Sequence, residues 1–398
     1  MTDHAPVRVT RAIQVPDPVR IERYVRLPEL GPRILFFSGG NALRKLCRVL
    51  KTYTHNSVHL ITPFDSGGSS AQLRLAFSMP AVGDLRNRLL ALADESVQGN
   101  PATYRLFSHR LDARGSAEQL AGELASMTSG EHPLVQAISQ PLRRLVRTHL
   151  RTFAERMPEA FDLRNASIGN LLLTGGYLAN DRDTNSVVFL FSRLIEARGL
   201  VRPIVDDDVT LYARTRGGQT IVGQHAITTR DDDGDPLAGV WLGTSTADPS
   251  PASCEVEPYI TEQIRRADLI CFPMGSFFTS VLANLLPRGV GRAICEAPCP
   301  KIYVPNTGLD LEQRGISVAQ AVDLLVDAVR RDAGADVPVE RILDFVLLDS
   351  AQGHYPSPST VAELEARGVT VLDRPVASTS HPDKLDPTAV AQVLLSLS

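Results

Sequence analysis

Phe36-Phe37-Ser38-Gly39-Gly40-Asn41-Ala42 and Asp65-Ser66-Gly67-Gly68-Ser69-Ser70 decide the fold class. Each stretch closes a short apolar run, Ile34 to Phe37 or Val58 to Ile61, and opens into a helical pattern. Short apolar runs alternating with helical periods predict parallel strands whose following turns lie at the carboxyl edge of one sheet. Glycine permits positive φ and close approach of a ligand, while successive amides and hydroxyls donate to phosphate oxygens. A pair of tight strand-to-helix turns is the plain alternative. Two such turns on successive strands, the second with an acid and three serines, favour an anion site. The Gly-x-x-x-x-Gly-Lys-Ser/Thr and Gly-x-Gly-x-x-Gly spacings are both absent, so neither a Walker loop nor an ordinary dinucleotide fold is expected.

The 398 residues allow a large core, and α/β chains of this length are often one domain with insertions. A formal net charge of −4 argues against a nucleic-acid partner held through its backbone, but leaves a small anionic ligand open. Lysine occurs only at positions 45, 51, 301 and 384, so arginine supplies most of the positive charge. Apolar runs fall short of the roughly 18 to 20 residues that cross a bilayer. Met1 to Arg11 is polar, so the expected location is cytoplasmic, with no membrane association. Cys47, Cys254, Cys271, Cys295 and Cys299 read as reduced thiols; Cys295 and Cys299 are four apart, but no second pair supplies zinc spacing.

Along the chain, residues 1–30 read as an extended lead-in punctuated by Pro6, Pro16, Pro18 and Pro28. Residues 31–398 read as one α/β domain, with a helical insertion at about 100–165 and an antiparallel insertion at about 200–245. Within the helical insertion, Val135, Ile138, Leu142, Leu145, Val146 and Phe153 form one stripe, and Arg143, Arg144, Arg147 and Arg151 another. A solvated face accounts for the arginines. Strands follow at Leu269 to Phe272, Ile302 to Val304, Phe345 to Leu348 and Val369 to Leu372, with helices from Ser317, Pro358 and Pro387. The acidic run Asp231-Asp232-Asp233-Gly234-Asp235 fails as a calcium loop, because Pro236 and Leu242 stand where the turn glycine and the bidentate glutamate belong.

Three further segments complete the candidate site: Gly83-Asp84-Leu85-Arg86-Asn87, Ser167-Ile168-Gly169-Asn170, and Gly275-Ser276-Phe277-Phe278-Thr279-Ser280 with Asn284 one turn later. Asp84 and Ser167 each have a local alternative as helix caps. The last segment again sets glycine and hydroxyls at a strand's carboxyl end.

In this order, these segments resemble the CofD/YvcK family, and the similarity runs on through Lys301-Ile-Tyr-Val-Pro-Asn306 to His381-Pro-Asp-Lys-Leu385. The resemblance implies a Rossmann-like three-layer α/β fold with a mainly parallel sheet, and a homodimer. Its phospholactate transferase branch moves a phospholactyl-type group from a guanosine-diphosphate-linked donor to a deazaflavin alcohol, with Mg2+. Its gluconeogenesis-factor branch binds UDP-sugars without an established reaction. Asn41-Ala42 replaces the usual Thr-Gly of the first loop, and Ser66 replaces a second acid, which mark a divergent subfamily.

Carried onto this chain, a GDP- or UDP-linked diphosphate conjugate is the expected partner. Ser38, Gly39, Gly40, Asn41, Ser66, Gly67, Gly68, Ser69, Ser70, Asn87, Asn170, Gly275, Ser276, Thr279, Ser280 and Asn284 are the expected ligand contacts. Asp65, Asp84 and Arg86 are the expected catalytic groups, with Asp65 as the metal ligand for Mg2+. Transfer of a phosphoester group to an acceptor hydroxyl is the first reading, and nucleotide-sugar binding without reaction is the alternative. A third places the Arg143 to Arg151 helix against a neighbour in a larger assembly.

Overall fold

Ile34 and Phe36 pack into one apolar cluster while Leu35 and Phe37 pack into another, so this strand is covered on both faces. Continuous apolar sequence is what a central parallel strand requires. In the computed structural model, which describes residues 12–96, 99–230, 235–308, 310–355 and 361–398, it is β1 (Ile34–Ser38). The remaining strands are β2 (Val58–Ile61), β3 (Leu200–Pro203), β4 (Thr210–Thr215), β5 (Thr220–Val222), β6 (Leu237–Gly243), β7 (Leu269–Phe272), β8 (Lys301–Tyr303), β9 (Phe345–Leu348) and β10 (Thr370–Asp373).

Seven strands form a parallel sheet in the order β10-β9-β8-β7-β1-β2-β3, and β5-β4-β6 form a small antiparallel sheet. Leu35 pairs with Val58 on one side of β1, and Ile34 with Leu269 on the other. Helices cover both faces, giving three layers. Leu46, Leu85, Leu89, Leu172 and Leu394 belong to one cluster, and Ile264, Ile294, Leu325 and Val329 to the other. The expected α/β architecture with its two insertions is therefore what the chain adopts.

Two boundaries differ from expectation. Residues 18–26 are helical, with Asp17 capping Arg20 and Pro18 in the first turn. That helix rests on the last one, Pro387–Leu397, where the Asp17 amide donates to Ser396 Oγ at 2.8 Å. β3 belongs to the main sheet, pairing parallel with β2, so the antiparallel insertion begins only at β4. The start expected at Pro358 lies outside the described residues, and Val361–Glu365 is helical. Residues 1–11 and the acidic run at 231–234 lie outside the described residues. All five cysteines are buried and unpaired, in keeping with thiols. No helix among the described residues is long and apolar enough to cross a membrane.

Candidate functional site

The chain winds from β1 through β2 to β3 in one direction, then from β7 through β8 and β9 to β10 in the other. The order reverses between β1 and β7, and open α/β sheets bind ligands at the carboxyl ends of the strands at such a reversal. The turns after β1 and β7 flank this point, and the turn after β2 lies one strand away.

Gly39 marks where the turns meet. A Cβ added there would fall 2.7 Å from Ser280 Oγ, 2.9 Å from Thr62 Oγ1 and 3.3 Å from Asp84 Oδ2. Only glycine lets the β1 turn pass between β2, the helix Gly83–Leu92 and the segment after β7. Gly40 and Gly68 have φ of +41° and +50°, with open space where a side chain would be.

Neither local capping alternative is realised. The Asp84 carboxylate does not cap its own helix; Oδ2 accepts the Gly40 N–H at 2.6 Å, from 44 residues away. Asp65 Oδ1 accepts the Gly67 N–H at 2.9 Å, while its Oδ2 and Ser70 Oγ both crowd the position a Cβ at Gly83 would take. Burial, followed by repulsion from Asp65, pushes the Asp84 carboxyl up to about 6. Ser167 precedes helix Ile168–Ala179 without capping it and instead accepts from Arg86 Nη1.

Arg86 is buried, donates through Nη2 to Asn87 Oδ1 at 2.5 Å, and has no partner for Nε. Burial, then the neighbouring Arg110 and Arg44, brings its guanidinium down to about 10. A buried cation beside two others, opposed only by Asp84, suits a bound anion. Asn170 Nδ2 donates to Ser69 Oγ at 2.9 Å and leaves its Oδ1 unpartnered, linking the β2 turn to helix Ile168–Ala179.

The segment after β7 is built differently from the sequence expectation. It enters a wide helical turn, Phe277–Leu282, whose first amides already have carboxyl partners. Phe277 N–H donates to Asp310 Oδ2 at 3.3 Å, and the Phe278 and Thr279 amides donate to Glu312 Oε2 at 2.8 and 2.9 Å. The Thr279 hydroxyl donates to Glu312 Oε1 at 2.6 Å. Gly275 exchanges hydrogen bonds with the Asn306 side chain. A diphosphate here would meet Ser276 and Ser280, not Thr279. Asn284 is a buried brace, donating to the carbonyls of Ser38 and Ser280.

Sequence reasoning missed Thr62, Arg88, His225, Asp310 and Glu312. Arg88 is buried beneath the β1 turn, within 3.3 Å of Ser38 Oγ and the Gly39 carbonyl. Ser66, which stands where the family has an acid, accepts the His225 N–H at 3.0 Å and so ties the antiparallel insertion to the β2 turn.

Between the β1 and β7 turns is a cavity of about 50 Å³ lined by Ser38 to Ala42, Ser276 and Ser280. It adjoins a larger one of about 500 Å³ that shares Asn41, Ala42 and Met274 and extends to Lys45, Asn306, His381 and Lys384. A separate concavity of about 620 Å³ lies at the opposite edge, lined by Arg33, Arg193, Arg198 and Tyr259 among others, and holds none of the nominated residues. Asp65 and Asp84 suit a hard cation. They are two neighbouring carboxylates, hydrogen-bonded to backbone amides, and their repulsion a divalent ion would relieve.

Residues 34–378 match the family profile described as 2-phospho-L-lactate transferase CofD. The gluconeogenesis factor of Bacillus subtilis is 28% identical over 380 residues, covering 92% of this chain and 98% of that protein. A Nostoc sp. protein bearing a provisional form of the same name is 30% identical over 367 residues, 91% of this chain. The chain spans 62% of that relative's length. The crystal structure of a UPF0052-family protein from Bacillus halodurans superposes with a TM-score of 0.66 at 24% identity, covering 92% of this chain and 99% of that one, and shares the fold. With the reversal point, the glycine turns and this profile match in agreement, the chain belongs to the CofD family.

Proposed function

We propose that the chain binds a nucleoside-diphosphate conjugate, GDP- or UDP-linked, across the β1 and β2 turns, and acts as a ligand-dependent regulator of the gluconeogenesis-factor kind. The observation that carries this reading is the convergence of Ser280, Thr62 and Asp84 on Gly39. The Gly68 backbone, Ser69 and Ser70 supply donors, Arg86 the charge, and the cavity toward Lys45 and Lys384 room for the rest of the ligand. Similarity to the Bacillus subtilis gluconeogenesis factor along nine-tenths of the chain favours that branch of the family for this reading.

A second reading, phosphoester transfer, is favoured by the Asp65 and Asp84 pair. Asp84, poised near 6, suits acceptance of a hydroxyl proton. In that step the acceptor oxygen bonds to phosphorus, the P–O bond to the nucleoside monophosphate breaks, and the proton passes to Asp84. Arg86 holds charge on the departing phosphate. Mg2+ held by Asp65 would neutralise phosphate oxygens.

Thermal shift with GDP, UDP, UDP-sugars and guanylylated acids, with and without Mg2+, tests binding. A ligand at about 100 times its Kd raises stability by roughly 2.7 kcal/mol. Gly39→Ala should abolish that shift. A panel with no shift sinks both readings, whereas phosphorus NMR showing nucleoside monophosphate release to an added alcohol selects transfer.

A further inference from the structure

The helical insertion gathers three side chains with metal-ligand chemistry, none of them part of the glycine turns. His109 directly follows helix Pro101–Ser108, Glu123 lies on helix Ala117–Ser129, and His132 precedes the short helix Pro133–Gln136. The middle helix is fixed at its start by reciprocal Ser116 and Gln119 bonds, and at its end by Gly130 at φ +89°. The chain therefore turns back sharply, and His132 returns beside Glu123.

One ligand atom from each residue lies within 4.8 Å of the others, and no other such grouping occurs among the described residues. His109 Nε2 is 2.9 Å from Glu123 Oε1, and His132 Nε2 is 3.7 Å from the same oxygen. All three side chains are partly buried, between 17 and 30% exposed, so the carboxylate has lost much of its water. Two histidine nitrogens near one carboxylate oxygen can be a shared hydrogen bond, but the same three atoms are close enough together to ligate one ion.

We propose that His109, Glu123 and His132 bind one zinc-like divalent cation, with water in the fourth position. Two imidazole nitrogens and one carboxylate suit zinc, and do not suit Mg2+, which prefers an all-oxygen shell. His132 Nδ1 accepts the Leu134 N–H at 3.2 Å, so metal at Nε2 moves the ring proton to Nδ1 and releases that long bond. The rearrangement leaves the ring neutral.

The cation would join the three segments of the insertion. The His109 carbonyl accepts the Ile168 N–H at 3.0 Å, and Arg110 bridges to Ser167. The tie therefore reaches the start of the helix that carries Asn170.

Isothermal titration of the metal-stripped full chain with zinc, with Mg2+ as the control, tests the proposal. The wild type is expected to bind one zinc that His109→Gln, Glu123→Gln and His132→Asn do not. The loss should exceed the roughly 10–100-fold cost of removing an outer-shell partner. Zinc should raise the melting temperature of the wild type alone. His132→Asn keeps a side chain suited to helix starts, and equal metal-free melting curves show that the variants are folded. Absence of stoichiometric zinc binding overturns the site, as does zinc bound equally by folded His109→Gln and His132→Asn variants.

Discussion

Asp84 carries a charge that its surroundings oppose. Its carboxyl sits near 6 against an ordinary 3.8, so between those values the folded chain holds a proton that the unfolded chain releases. Folding stability from this group is full below about 4 and is lost as pH rises through about 6. Asp84→Asn retains an acceptor for Gly40 and removes the charge. It should raise ligand-free stability at pH 7 by about 1–3 kcal/mol, with the gain shrinking toward pH 4, while weakening nucleotide binding. Melting curves at the two pH values check this, and a less stable variant at pH 7 would show that Gly40, Arg88 and Arg86 outweigh burial. The sequence made Asp84 a candidate because an acid follows Gly83, but it offered a local cap as readily. The bond to Gly40 depends on packing across 44 residues, which local pattern does not encode.

At the scale of elements, the turn Phe277–Leu282 depends on Glu312. That buried carboxylate accepts from two amides and from the Thr279 and Thr228 hydroxyls. Glu312→Ala strands those donors away from water and should cost about 3 kcal/mol or more, whereas Glu312→Gln keeps one acceptor and should cost less. Urea unfolding of the two variants tests this ordering, and equal midpoints would refute it. The strands Val58–Ile61, Leu269–Phe272 and Phe345–Leu348 were legible because buried parallel strands are unbroken apolar runs between turns. Helix Pro18–Arg26 was not, since prolines at 16, 18 and 28 look like extended chain, yet Pro18 sits at a helix start that tolerates it. Leu200–Pro203 reads like its antiparallel neighbours, and only its register with β2 assigns it to the main sheet. Asp310 and Glu312 look like a solvated acidic turn, and long-range contact alone makes them caps.

For the whole molecule, β1 is the axis on which both halves of the sheet meet, and Ile34 to Phe37 are fully buried. Hydrogen exchange should therefore be slowest in β1, β2 and β7 and faster in β4 to β6. Mass-spectrometric exchange checks it, and a more protected insertion would contradict it. Loop chemistry in the sequence nominated the turns, but not the strand order that sets β7 beside β1. That neighbourhood brings Ser280 to Gly39, so the site was legible as parts and not as an assembly. The carboxylates of Asp310 and Glu312 also bear on competition inside a cell. Because the chain fills the amides of Phe277 to Thr279 with its own acids, free orthophosphate finds few vacant donors on that side. A conjugate that reaches toward Lys45 and Lys384 gains contacts the small ion lacks, so abundant inorganic phosphate should be a poor rival.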